Sequence, residues 1–135
     1  MMDSVRIVEN FWQRVWRERS PDAVDHLVSE DIVITTAGTN IRERAAFKRW
    51  LAEFQRRVAD LKFESVETFQ SQDGSRVASR WRLTGKNNGI LGLAPNHESI
   101  ELVGITVFAI RKDGWIEHIW VERNAWELYS RLHRS

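Results

Sequence analysis

Cysteine is missing from all 135 residues, which removes disulfides, thiolate zinc sites, iron–sulfur ligation and cysteine nucleophiles in one step. Charge of one sign is missing too. The 20 Lys and Arg against 19 Asp and Glu leave a formal +1, so no overall field recruits nucleic acid or an anionic membrane. No run approaches the ~18 apolar residues of a transmembrane helix. Met1-Met2-Asp3-Ser4-Val5-Arg6 leads into mixed polar and aromatic residues rather than the apolar stretch of a secretory signal. Linkers, internal repeats and low-complexity segments are absent, so a single domain over 1–135 is expected, with the cytoplasm as its compartment. Tyrosine occurs once, whereas tryptophan occurs seven times and phenylalanine six. That much aromatic area implies a large core or an aromatic-walled cavity.

Apolar residues in the first half follow a helical period. Val5, Val8, Phe11, Trp12, Val15 and Trp16 recur every three or four positions and predict a helix over about 3–19. Ser20-Pro21 then offers a cap and a first-turn proline for a short helix carrying Ala23, Val24, Leu27 and Val28. Asp31 to Thr36 is β-branched and reads as extended. Thr39 or Asn40 would cap a third helix that buries Phe47, Trp50, Leu51, Phe54 and Val58. Its basic side, broken by Glu43 and Glu53, reads as a solvated face rather than a nucleic-acid surface.

Beyond Leu61 the period changes. Asp73-Gly74 and Asp113-Gly114 each sit between β-rich runs and mark two hairpins. Two-residue loops would set Glu67 opposite Arg80, as a surface ion pair, and Val66 opposite Trp81. Gly85 to Gly89 and Gly92 to His97 form the one substantial loop, and Asn124 can cap a last helix through Leu132. Helices first and strands later give an α+β domain, with helices on one face of a curved antiparallel sheet. Leu102 to Ile110 is apolar on both parities, so one face would meet helices and the other a second subunit in a homodimer.

The order of these pieces resembles the cone-shaped nuclear transport factor two-like fold, and within it the SnoaL-like polyketide cyclase and ester cyclase group. The resemblance rests on the aromatic stripe of helix one leading into Ser20 to Ile34, on Val77 to Gly92, and on Asp113-Gly114-Trp115-Ile116-Glu117-His118-Ile119-Trp120. It implies three N-terminal helices closing a funnel against the sheet, an acid or base working there without a cofactor, and oligomerisation through the sheet. The group's general acid and base is an Asp four positions after the last-strand Trp. Trp120 matches that Trp, and the fourth position holds Asn124, whose carboxamide cannot accept and return a proton near neutral pH. A loop His of the group is replaced by Asn87.

His118, Trp120, Glu122 and Asn124 share a parity with Ile116, so an unbroken strand would line them along one face. His118 and Glu122 would stand ~13 Å apart, flanking a substrate rather than forming a dyad. On that reading Glu122 moves the proton, since burial raises a carboxylate toward the working range. His118 assists or orients, and Asn124 holds the oxygen on which charge develops. Trp12, Trp16, Trp50, Trp81 and Trp120 would wall the pocket, with Thr35 and Asn87 as polar contacts and His97 in a lid. The four histidines lack metal-site spacing, so no metal is expected. An epoxide hydrolase of this cone would need an Asp, Arg, Asp set, and no Asp lies on the strands near Arg80 and Arg82. The functional expectation is a cofactor-independent cyclase or isomerase of secondary metabolism, acting on a hydrophobic polyketide or terpenoid carbonyl compound. The alternative is a noncatalytic binding or assembly module of the same fold.

Overall fold

Asp3 Oδ1 accepts a hydrogen bond from the Arg6 backbone N–H at 3.1 Å and starts α1, Ser4–Phe11. The structure, a computed structural model, describes residues 3–133, so Met1, Met2, Arg134 and Ser135 of the expected 1–135 domain and of the expected leaderless start lie outside the described residues. The helix continues past Phe11 without a break, but Trp12–Arg17 widens to π geometry. Val8, Phe11, Trp12, Val15 and Trp16 all face inward. A 3₁₀ segment follows at Pro21–His26, with Ser20 extended before the proline and making no side-chain cap.

The chain then forms β1 (Val28–Thr36), β2 (Thr39–Arg42), α2 (Arg44–Arg56), β3 (Val58–Gln70), β4 (Arg76–Asn87), β5 (Ser99–Ile110), β6 (Ile116–Arg123) and α3 (Ala125–His133). Residues 39–42, expected to open the third helix, are instead an antiparallel strand on β1. Ala37 and Gly38 both take positive φ, which makes a turn tight enough to fold them back. The six strands form one open, curved sheet in the order β2-β1-β6-β5-β4-β3. It is not wholly antiparallel as expected: β1 and β6 run parallel, because α2 and the four intervening strands β2–β5 carry the chain around before β6 returns alongside β1.

The first hairpin adopts the expected register from its tip to Glu67 opposite Arg80, and the second adopts it from His118 opposite Ala109 onward, with Phe108 opposite Ile119. Each contains a bulge. At Val66 the β3 register shifts, so Ser65 rather than Val66 faces Trp81. At Glu117 the β6 register shifts, so Ile116 pairs with Ile110 while His118 pairs with Ala109. A bulged residue reverses side-chain parity on either side of it. Ile116 is therefore buried in the core together with Ile119, not with His118.

Helices and 3₁₀ segment cover the inner face of the sheet, and α3 adds Leu128 and Leu132 to the same core. No described helix is long and apolar enough to cross a membrane.

Candidate active site

The inner faces of β1 and β3–β6 and the aromatic stripes of α1, the π segment and α2 enclose a cavity. The helices contribute Phe11, Trp12, Trp16, Phe47, Trp50 and Phe54. The sheet contributes Ile34, Phe63, Trp81, Leu83, Thr106, Ile119, Val121 and Arg123. The rings touch in sequence: Trp12 lies 4.6 Å from Phe63 between centroids, Phe63 stacks 5.9 Å from Trp81, and Trp50 stacks 5.3 Å from Phe54. The cavity left among them is about 50 Å³. Ligand pockets commonly reach about 300 Å³ or more, so the cone is closed by its own rings. Trp50 and Val121 are only partly buried, which sets the thin side of the wall between α2 and the end of β6.

Two of the tryptophans are pinned by their indole N–H groups. Trp12 Nε1 donates to Ser79 Oγ at 2.9 Å, and Trp81 Nε1 donates to Thr106 Oγ1 at 2.8 Å. Indole can only donate, so Ser79 must accept and pass its own proton to Thr68, 2.8 Å away. Thr68 in turn donates to Glu9 Oε1 at 2.8 Å, and Ser65 donates to Glu9 Oε2. Gly104 makes room for Trp81, whose ring lies against the strand where a side chain would otherwise stand.

Arg123 is the one ionisable residue at the cavity among the described residues. It follows Ile119 and Val121 on the inward parity of β6 and sits opposite Gly104. Its guanidinium carbon lies 5.3 Å from the Phe54 ring centroid, a cation–π contact. Its Nε is enclosed and has no hydrogen-bond partner. Burial alone pushes the guanidinium down from its ordinary range, with no carboxylate opposing the shift, yet arginine stays protonated. Sequence reasoning passed over this residue. The signal for it was the alternation Ile119, Val121, Arg123, which continues the apolar parity of the strand.

The structure places the expected catalytic group elsewhere. His118, Trp120 and Glu122 point to the outer face of the sheet, away from the cone, because the Glu117 bulge separates their parity from that of Ile116. His118 stacks on Trp120 at 3.8 Å between ring centroids, and its Nε2 lies 2.9 Å from Thr35 Oγ1. Thr35 donates its single proton to Asn40 Oδ1, so His118 Nε2 carries the ring proton. Burial, then Arg76 and Arg42, hold the His118 pKa below its ordinary value. Glu122 is exposed in an outer groove beside Val103 and Ile105. Asn124 accepts from the Val103 backbone N–H at 3.0 Å and donates to Glu127 Oε2, so it joins β5 to α3 instead of facing a substrate.

Asn87 is fully buried but spends both amide ends on its own loop, donating to Ala94 O and Asn96 Oδ1 and accepting from Gly89 and Ile90 N–H. His97 is exposed and borders none of the cone. Trp12, Trp16, Trp50 and Trp81 surround the cavity, whereas Trp120 and Thr35 do not. Among the described residues no group of three or more His, Asp or Glu is arranged to hold a metal ion.

This cone of open sheet and covering helices defines a nuclear transport factor two-like domain. The model of the SnoaL-like polyketide cyclase family matches residues 6–132, and the chain belongs to that family. No curated protein matches the sequence. Among solved structures, a SnoaL-like polyketide cyclase, so named, from Jannaschia sp. CCS1 is similar at 15% identity and a TM-score of 0.85, over 94% of this chain and 89% of that one. TsrD from Streptomyces laurentii is similar at 21% identity and a TM-score of 0.83, over 98% of both chains. SalBIII, an epoxide hydrolase/cyclase-like enzyme of pyran ring formation in the polyether salinomycin, is similar at 21% and 0.73, over 90% of each. At these identities the likeness is one of fold.

Proposed function

We propose that this chain is a cofactor-independent cyclase or isomerase whose hydrophobic carbonyl substrate, of polyketide or terpenoid type, binds inside the aromatic cone. The observation that carries this reading is the pairing of an aromatic and aliphatic wall with one protonated guanidinium at its edge. The wall excludes water and offers ring faces to a flat substrate. Arg123 offers fixed N–H donors to a carbonyl oxygen, and such donors act strongly on charge that develops in a site shielded from water. Enolisation, in which a water at the cavity mouth takes the proton from carbon, puts charge on that oxygen. Substrate entry requires Trp50 and Phe54 to swing outward, since the closed cavity is too small for a bicyclic ring.

A noncatalytic binding module of the same fold is the second reading, favoured by one observation: no carboxylate or imidazole lines the cavity among the described residues. Deuterium exchange distinguishes the two. 1-Phenylbutane-1,3-dione in D₂O, followed by proton NMR, should lose its methylene signal faster with the protein, and Arg123→Met should lower that acceleration by roughly tenfold or more. Binding without acceleration would leave the module reading and remove the enzyme.

The outer sheet face is proposed to meet a second copy of the chain. Val66, Val103 and Ile105 stand about half exposed there, and the Arg80–Glu67 and Arg82–Glu101 pairs leave no excess charge between them. A monomeric mass by light scattering at micromolar concentration would remove the dimer.

A further inference from the structure

Arg123 is partly buried, with its Nε enclosed. No side-chain hydrogen bond or ion pair holds it among the described residues, and its guanidinium lies over the face of Phe54. A cation–π contact balances part of the charge but engages none of the five N–H donors. Nε is the atom left enclosed and unpaired. Enclosing part of a charged group without a partner is unfavourable, and such groups cluster where a ligand supplies the partner.

The remaining polar group at the cavity points the same way. Thr106 Oγ1 accepts the Trp81 indole proton, which leaves its own hydroxyl proton as the thing it can offer. The guanidinium N–H groups and the Thr106 hydroxyl, whose oxygen keeps one further acceptor site, are what the cone can offer beside its aromatic and aliphatic wall. A neutral carbonyl would accept a hydrogen bond yet leave the positive charge uncompensated. A carboxylate accepting from Nε–H and an adjacent Nη–H would satisfy the enclosed nitrogen and neutralise the charge together.

Resting on the cone as the substrate site, we infer that the ligand is a hydrophobic carboxylic acid, bound with its carboxylate side-on to Nε–H and one Nη–H of Arg123, its apolar body among Trp12, Trp16, Trp50 and Trp81, and the remaining Nη–H groups left for the carbonyl oxygen of the proposed reaction. The guanidinium then acts as a specificity determinant that admits acids and discriminates against their esters.

The test uses benzoate and methyl benzoate as probes of nearly equal shape, titrated at pH 7 against the full chain and followed by tryptophan fluorescence. Benzoate should bind at least about tenfold more tightly than the ester, the equivalent of roughly 1.4 kcal/mol. R123M should remove that preference, so that acid and ester bind alike, and R123K should restore only part of it, because an ammonium lacks the planar fork. Trp50→Ala, which leaves the charge in place, should weaken both probes. Equal binding of acid and ester by the unaltered chain, or an acid preference that survives in R123M, overturns the carboxylate inference and leaves the small-molecule site standing. Failure of both probes to bind overturns the cone as a ligand site, and the inference with it. The urea midpoint of R123M establishes that a lost preference is not lost folding.

Discussion

Trp81 and Gly104 face each other across the β4–β5 ladder so closely that a Cβ on residue 104 would collide with Trp81 Cζ2 and stand 2.7 Å from the Glu122 carbonyl oxygen. The indole occupies the side-chain position that glycine vacates, and its Nε1 is tied to Thr106. Gly104→Ala is therefore expected to push the ring off Thr106 and destabilise the fold by about 1–3 kcal/mol, the usual cost of overpacking. Urea denaturation measures the loss, and a red shift of tryptophan emission would report the displaced ring.

Ser79→Ala removes the acceptor of the Trp12 indole in a site with no exposure. The orphaned donor should cost about 1–3 kcal/mol. Ser79→Thr keeps the hydroxyl and should recover part of that, provided the extra methyl is accommodated. Equal stability of Ser79→Ala and the unaltered chain would show that water replaces the hydroxyl.

The β3–β4 turn is organised by Asp73, whose carboxylate accepts from the Ser75 backbone N–H, the Ser75 hydroxyl and the Ser71 hydroxyl. Those bonds lower its pKa from 3.8 to about 2. A carboxyl lowered in the folded state contributes stability above its unfolded value, and that contribution is lost as pH falls from about 4 through about 2. Carbon-detected NMR of the Asp73 carboxyl should show a midpoint near the lower figure. Asp73→Asn should flatten the acid limb of the stability curve, while a midpoint near 4 would mean the turn bonds do not persist in solution.

His118 is expected to titrate below 6.5, since burial and the nearby Arg76 and Arg42 disfavour its charged form. For a base whose folded value is lowered, the unfolded chain binds the extra proton first, so stability falls as pH drops through 6.5 toward the folded value. Arg76→Gln removes one of the two cations and should raise the midpoint. Proton NMR of the imidazole measures both, and the unchanged position of the Trp120 stack would show that the ring stays in place.

The fold was largely readable because its determinants are local. The spacing of Val8, Phe11, Val15 and Trp16 states a helix, and the Asp-Gly turns state the hairpins and even place Glu67 across from Arg80. The site was less readable because it depends on which way a strand faces. A single bulged residue, Glu117, leaves the cross-strand partners of residues 118–122 as expected but breaks their parity with Ile116. Period-2 reasoning carried Ile116 inward and took His118, Trp120 and Glu122 with it. The strand at 39–42 escaped notice for a related reason: Thr39 and Asn40 suit a helix cap and a turn equally, and pairing with β1 decides between them.

The chain of donors from Trp12 through Ser79 and Thr68 to Glu9 has one direction only, set at one end by an indole that cannot accept and at the other by a carboxylate. It spans α1, β4 and β3 and joins a half-buried acid to a ring deep in the cone. Glu9 thereby becomes an external handle on the cavity wall. Neutralising it lets Thr68 and Ser65 turn their protons elsewhere while the indole still requires Ser79 to accept, so the firmness of the cavity wall at Trp12 is answerable to a residue that does not line it.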